Sequence, residues 1–202
     1  MTATPLKPNQ RRQQQNRRRI LDAALDLIAH EGLEAASLRK IAARSHYSPA
    51  ALYEYFANKE AIIEVLSDEI DELLADYLRQ ATPNTGDKQL DPVGYLVEVG
   101  MRYVAFATEK PKEYYLMQSR NPLKPGATPR LNKGAFGILL AAVENLETHI
   151  SPMSVDEFAY ACWAFVHGLA SLQNQLIHTL NLDFTGTQRA ALTRFIEHGD
   201  TT

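Results

Sequence analysis

The sequence is poor in sulfur: one cysteine, Cys162, stands among 202 residues, so no intramolecular disulfide can form. That scarcity fits a reducing compartment, and a cytoplasmic setting is expected. No run of eighteen apolar residues occurs, so no transmembrane helix is expected. The opening stretch MTATPLKPNQRRQQQNRRR is basic and polar and lacks the apolar segment of a secretory signal. The alternation of apolar and polar residues that marks half-buried strands is missing as well. So are a phosphate-binding glycine loop, a GxSxG elbow and an HExxH zinc motif. Six histidines are scattered at 30, 46, 149, 167, 178 and 198. His167 and His178 share nearly one helix face but lie about 16 Å apart along it, too far to hold one metal. Neither a catalytic group, a metal nor a cofactor is expected.

What the chain does have is helical periodicity and an uneven charge. Hydrophobic residues make up 45% of the sequence, enough for a core in one or two domains. The net charge of -3 conceals two unlike parts. Residues 1–60 carry ten Lys/Arg against six Asp/Glu, and residues 61–202 carry eleven against eighteen. A basic front on an acidic body points either to a front that meets a polyanion or to a solvated terminal tail. The run RRQQQNRRR (11–19), with five arginines in nine residues including Arg17, is expected to contact DNA, either in a minor groove or along phosphates.

The apolar spacing predicts about nine helices and an all-α fold. A basic, disordered arm over 1–14 leads into a first helix near Asn16 or Arg17, carrying Ile20, Ala24, Leu27 and Ile28 inward and stopped by Gly32. Ser37 caps a short second helix with Leu38, Ile41 and Ala42 inside. Ser48 with Pro49 opens a third, a little over two turns long, that buries Leu52 and Phe56. Asn58 caps a long fourth helix through Leu78, expected to be the one covalent link between the halves. ATPNTGDKQLDP (81–92) breaks it. Further helices follow to about Thr108, near 112–119, over about 130–148 after the loop RNPLKPGATP (120–129), from SPMSVDEF to about Asn181, and around Leu192, Phe195 and Ile196. The domains expected are 15–62, with a helix-turn-helix over about 37–56, and a helical body over 63–202.

Helices two and three, joined by SHYS (45–48), form a helix-turn-helix whose second member can enter a major groove. Pro49, Ala50 and Ala51 let the backbone and methyl groups approach base edges. Tyr53 and Tyr55 offer hydroxyls to phosphate oxygens, the alternative for Tyr53 being partial core packing. Lys59 opens the fourth helix, where an ammonium and the positive dipole end both favour a phosphate. Arg39 is the strongest candidate for reading a base, because arginine pairs bidentately with guanine. Glu54 suits either a cytosine amino group or a solvated helix face.

The run SLRKIAARSHYSPAALYEYFANKEAI, together with HEGLEAAS (30–37), resembles the signature of the tetracycline-repressor (TetR) family of transcriptional regulators over roughly residues 15–65. The resemblance implies phosphate contacts from Ser37, Tyr53, Tyr55 and Lys59. It places Arg39, Ser48, Pro49, Ala50, Ala51 and Glu54 near bases. It also implies a homodimer through helices eight and nine. The shorter stretch WAFVHGLASL (163–172) resembles the Trp-His-Gly pattern of one C-terminal subgroup. One departure stands out: the family usually has glycine in the turn where this chain has His46, which is strained if φ is positive there.

Behind the DNA-binding part, Tyr95, Met101, Tyr103, Phe106, Tyr114, Tyr115, Met117, Phe136, Trp163 and His167 are candidates to line an effector cavity, the alternative for each being plain core. Cys162 reads as buried filler. The expected function is that of a repressor released from a palindromic operator by a small apolar or aromatic effector. Two rivals are a ligand-insensitive architectural DNA binder and a small-molecule-binding or enzymatic helical protein with a vestigial front domain.

Overall fold

The computed structural model describes residues 7–81, 84–85, 88–89, 91–119, 134–146, 153–176 and 183–198. The fold is all-α. Nine helices occur among the described residues: α1 (Pro8–Glu31), α2 (Leu38–Arg44), α3 (Pro49–Leu52), α4 (Lys59–Arg79), α5 (Pro92–Glu109), α6 (Pro111–Ser119), α7 (Gly134–Glu144), α8 (Val155–Leu176) and α9 (Phe184–His198). A two-residue antiparallel pairing of β1 (Asn84–Thr85) with β2 (Lys88–Gln89) sits in the break after α4. Residues 1–6, the 120–129 loop, the expected outer ends of α7 and the stretch 177–181 lie outside the described residues.

The caps follow the sequence. The Ser37 hydroxyl accepts the Lys40 amide at 3.3 Å, Ser48 accepts that of Ala51 at 3.1 Å, and Asn58 accepts that of Ala61 at 2.8 Å. Each satisfies an amide that a helix start leaves unpaired, worth about 1 kcal/mol. Gly32 closes α1 with φ of 87°.

Two helices differ from expectation. α1 begins at Pro8, so residues 8–14 are helical rather than a disordered arm. An apolar stripe marks only where a helix is buried. Gln and Arg are good helix formers, and Pro8 at the first position suits a helix start. The Lys7 amide donates to the Gln10 side chain at 3.1 Å and completes it. α3, by contrast, is one turn rather than two. Beyond Leu52 the backbone tightens, with Glu54 bonded to Ala51 and Tyr55 to Leu52 through three-residue contacts, so Phe56 is reached through a turn.

The chain divides into two compact units, Met1–Ile70 with Lys112–Asn121 and Asp71–Pro111 with Pro122–Thr202. The division falls inside α4 rather than at 62–63, and α6 belongs with the N-terminal unit. α4 is therefore not the one covalent link; the chain also passes between units on either side of α6.

In the N-terminal unit Ile20, Leu21, Ala24, Leu27 and Ile28 of α1 meet Ile41, Ala42, Leu52, Phe56, Ile62 and Leu66, all buried. Asp26 of α1 pairs with Lys112 of α6 and, at 3.9 Å, with Arg44 of α2. The hydrogen bond from Lys112 is the main reason its carboxyl titrates below the usual range. In the C-terminal unit α5 is central, with Leu96, Val97, Val99, Tyr103, Val104 and Phe106 buried beside α7, α8 and α9. Gly100 permits that approach, since a Cβ there would lie 2.5 Å from Leu192 Cδ2 and 3.0 Å from Val166 Cγ1. Phe195 of α9 stacks on Phe165 and Phe158 of α8 at 4.7 and 6.1 Å.

His46 adopts φ of 62°, the left-handed conformation that the turn demands. A side chain there costs about 1–2 kcal/mol, and glycine's extra unfolded-state freedom returns roughly 0.5–1 of it. His46→Gly is therefore expected to stabilise the protein by about 0.5–1 kcal/mol and His46→Val to destabilise it. Chemical denaturation of the two variants checks the order; a less stable glycine variant refutes it.

Candidate nucleic-acid interface

The turn between α2 and α3 is built by short-range bonds. The buried Ser45 hydroxyl donates to the carbonyls of Ile41 and Ala42 at 2.7 and 3.2 Å, and the Tyr47 amide donates to Ala42 at 2.9 Å. These fix where the chain turns back. Leu52, 1% exposed, and Phe56, 4% exposed, then pin α3 to the core. Burying each contributes about 1.5–3 kcal/mol. With Leu52 inward, Ser48, Pro49, Ala50, Tyr53 and Glu54 are exposed, and Ala51 is half-buried. The open face of α3 is thus made of small residues near its start and one large aromatic near its end. Tyr53 is 60% exposed, so it is not a core residue.

Tyr55 is held more firmly. Its hydroxyl accepts from the Asn16 amide of α1 at 2.9 Å, and its ring meets that of Tyr47 edge-on at 5.9 Å. Because Asn16 donates, the Tyr55 hydroxyl keeps its own proton to offer outward. Arg17 places its guanidinium over Phe56, 4.9 Å from the ring centroid, an arrangement that holds a cation at the surface. Lys59, half-buried at the start of α4, donates to the Leu33 carbonyl at 3.3 Å. That bond fixes one of its three protons and leaves the ammonium charge in place. Ser37 and Arg39 are exposed at the start of α2, and among the described residues Arg39 has no ion pair.

Sequence reasoning missed Asn16 and Tyr47. Asn16 supports Tyr55 from thirty-nine residues away, and Tyr47, inside the SHYS turn, meets its ring edge-on.

The candidates for an effector site separate. Tyr103 and His167 come together, hydroxyl to Nδ1, at 2.8 Å. Trp163 lies edge-on to His167 at 6.5 Å and to Phe136 at 5.9 Å. Burial pushes the His167 imidazole below its ordinary titration range, so it is neutral near pH 7. Phe106 is fully buried and packs on Tyr77 at 5.5 Å; Met101 is buried and Tyr95 half-buried. Tyr114, Tyr115 and Met117 belong to the N-terminal unit, with the Tyr115 hydroxyl beside Gly32. Cys162 is buried and its thiol is pushed up to about 12 by desolvation, as expected for filler.

Two family profiles match this arrangement: "Bacterial regulatory proteins, tetR family" over residues 20–66 and "Tetracyclin repressor-like, C-terminal domain" over residues 96–195. The chain belongs to the TetR family. Among curated relatives, the nicotine-responsive repressor HdnoR of Paenarthrobacter nicotinovorans is 37% identical over 54 residues, 27% of this chain and 28% of its own length. YdeS of Bacillus subtilis, an HTH-type transcriptional regulator, is 37% identical over 76 residues, 37% of this chain and 35% of its own. The chain thus spans about a quarter to a third of the curated relatives it matches. Solved structures are similar over nearly the whole chain. A TetR-family regulator from Marinobacter aquaeolei VT8 has TM-score 0.71 at 18% identity, covering 91% of this chain and 96% of its own. A protein from Rhodococcus sp. RHA1 has TM-score 0.70 at 20% identity, covering 93% and 96%. At those identities the likeness shows the fold. The family to which the chain belongs is one of DNA-binding transcriptional regulators. Among the described residues, no helix is long and apolar enough to cross a membrane.

The roles of the two basic residues are expected to separate in binding measurements. Arg39→Ala should relax preference at one base pair of each half-site, at a cost of about 1–3 kcal/mol there. Lys59→Ala should weaken every duplex alike and flatten the salt dependence by about one unit per half-site. Identical base profiles and salt slopes for both variants would refute the division.

Proposed function

We propose that this TetR-family regulator is a repressor, that two copies grip a palindromic operator, and that a small apolar or aromatic effector releases them. The observation that carries the reading is the pairing of a helix-turn-helix unit with a body that holds an aromatic and imidazole cluster. Tyr103, Phe136, Trp163 and His167 combine apolar ring faces with a neutral hydrogen-bonding ring, the usual make-up of a site for an apolar ligand with few polar handles. Ser37, Arg39, Ser48, Pro49, Ala50, Ala51, Tyr53, Glu54, Tyr55 and Lys59, with Arg17, are the proposed DNA-contacting set. HdnoR is by name nicotine-responsive, which supports small-molecule control in a relative and names no effector here.

Dimerisation is assigned to α8 and α9. On α8, Tyr160 and Leu172 are 65% and 55% exposed, beside the small residues Ala161, Ala164 and Gly168. A Cβ at Gly168 would meet nothing within 4 Å. Glycine inside a helix costs about 1 kcal/mol relative to alanine, and among the described residues no neighbour requires its absence of side chain. A helix of a second copy approaching closely supplies the reason. Gly168→Leu is therefore expected to shift the protein from dimer to monomer at micromolar concentration while its helical signal persists. Sedimentation measures this, and an unaltered dimer would refute the assignment.

Release follows from linkage. Both α3 copies must fit one rigid duplex, so a small change in their spacing loses contacts at both half-sites. An effector shifts that equilibrium only by its differential affinity for the two forms. A coupling of about 1–3 kcal/mol weakens DNA binding 5–150-fold. Compounds that raise the thermal midpoint are then titrated with and without operator. A true effector binds free dimer more tightly than DNA-bound dimer, by the same factor. Equal affinities for every stabilising compound would sink the repressor-release reading.

A further inference from the structure

The first three turns of α1 extend beyond the apolar part of the helix. Ile20, Leu21, Ala24 and Ile28 define its core-facing side. The same side, followed back at three- and four-residue spacing, becomes Gln10, Gln13, Gln14 and Arg17. These four line a shallow hollow shared with Glu54 and Tyr55, at the end of the recognition segment. A helix side that waits for a protein core is apolar; this one presents amides and a guanidinium. Residues 7–19 carry Lys7, Arg11, Arg12, Arg17, Arg18 and Arg19 and no carboxylate. Arg18 is spent on Asp22 and Glu69, at 2.7 and 2.5 Å.

We infer that this extension is a rigid second DNA-contacting element, which lies along the phosphate backbone of the duplex flanking each half-site. The inference rests on the DNA-binding role of the family and goes beyond the helix-turn-helix contacts. Charge complementarity and continuity with the α3 face name the occupant. The helical state decides the mode. A helix with its side chains is about 10–12 Å across, whereas the minor groove is about 6 Å wide, so the element cannot enter that groove as an extended arm would. Gln10, Gln13 and Gln14 donate amide protons, Arg17 adds charge from its place over Phe56, and Tyr55 donates the proton that Asn16 leaves it. Glu54, on the opposite wall, repels phosphate and keeps the strand on the α1 side of the hollow.

The test uses the full-length protein and a core site selected from a random-sequence duplex pool. Two probes carry that site, one ending at its edges and one with mixed-sequence flanks of about one helical turn on each side. Wild type is expected to bind the flanked probe about tenfold more tightly at moderate salt, with a steeper salt dependence. Replacing Gln10, Gln13 and Gln14 together by Ala should abolish most of the gain. Gln13→Pro keeps all the charges but breaks the helix, and it should abolish the gain too. Both variants should still bind the short probe, and that keeps failure of this inference distinct from failure of DNA binding itself. A gain that survives Gln13→Pro overturns the rigid element. No gain from flanks overturns the contact, and a gain that requires A·T-rich flanks overturns the backbone mode in favour of minor-groove reading.

Discussion

The burial of Leu52 and Phe56 is the constraint on which the DNA-binding unit rests, because α3 is a single helical turn with no stability of its own. Helix nucleation is unfavourable, and four residues do not offset it. Everything around α3 substitutes for length. Ser48 caps it, Pro49 presets its first dihedral, Tyr47 and Asn16 hold Tyr55, and Arg17 covers Phe56. A recognition element made this way has a fixed orientation only while α1 and α2 are in place. Its specificity is therefore a property of the whole N-terminal unit.

The charge pattern shows how that unit avoids neutralising itself. Several cations are used internally: Arg18 on Glu69, Lys40 on Glu31 at 2.7 Å, Lys112 and Arg44 on Asp26. These pairs are exposed and contribute little to stability individually, but they orient α1, α2, α4 and α6 within the unit. Arg39 and Lys59 stand apart from this internal pairing. A unit whose structural cations are matched internally can offer its other cations to a polyanion without losing its own fold.

The way the chain is routed also bears on control. α4 runs from the N-terminal unit into the C-terminal one, and α6 returns to the first unit from the second. The C-terminal unit therefore has more than one covalent route to the helices that hold α3. Asp26 is where the α6 route ends on α1, through Lys112.

The sequence by itself determined the all-α fold, the helix caps and the helix-turn-helix. Each of these depends on residues close in the chain: Ser37, Ser48 and Asn58 bond amides three residues away, and apolar spacing marks which side of a helix is buried. It also flagged His46 as strained if its φ were positive, and the structure supplied that φ of 62°. Only the tertiary structure decided the rest. That α1 starts at Pro8 was hidden because Gln and Arg carry helix propensity without periodicity. That α3 stops after Leu52 depended on where Phe56 must be buried. Tyr115 went to the N-terminal unit, and Tyr103 met His167, because long-range packing chooses among aromatics that look alike in sequence. Local rules place caps and turns through bonds of a few residues, whereas a contact sixty-four residues apart is set by the shape of the whole core.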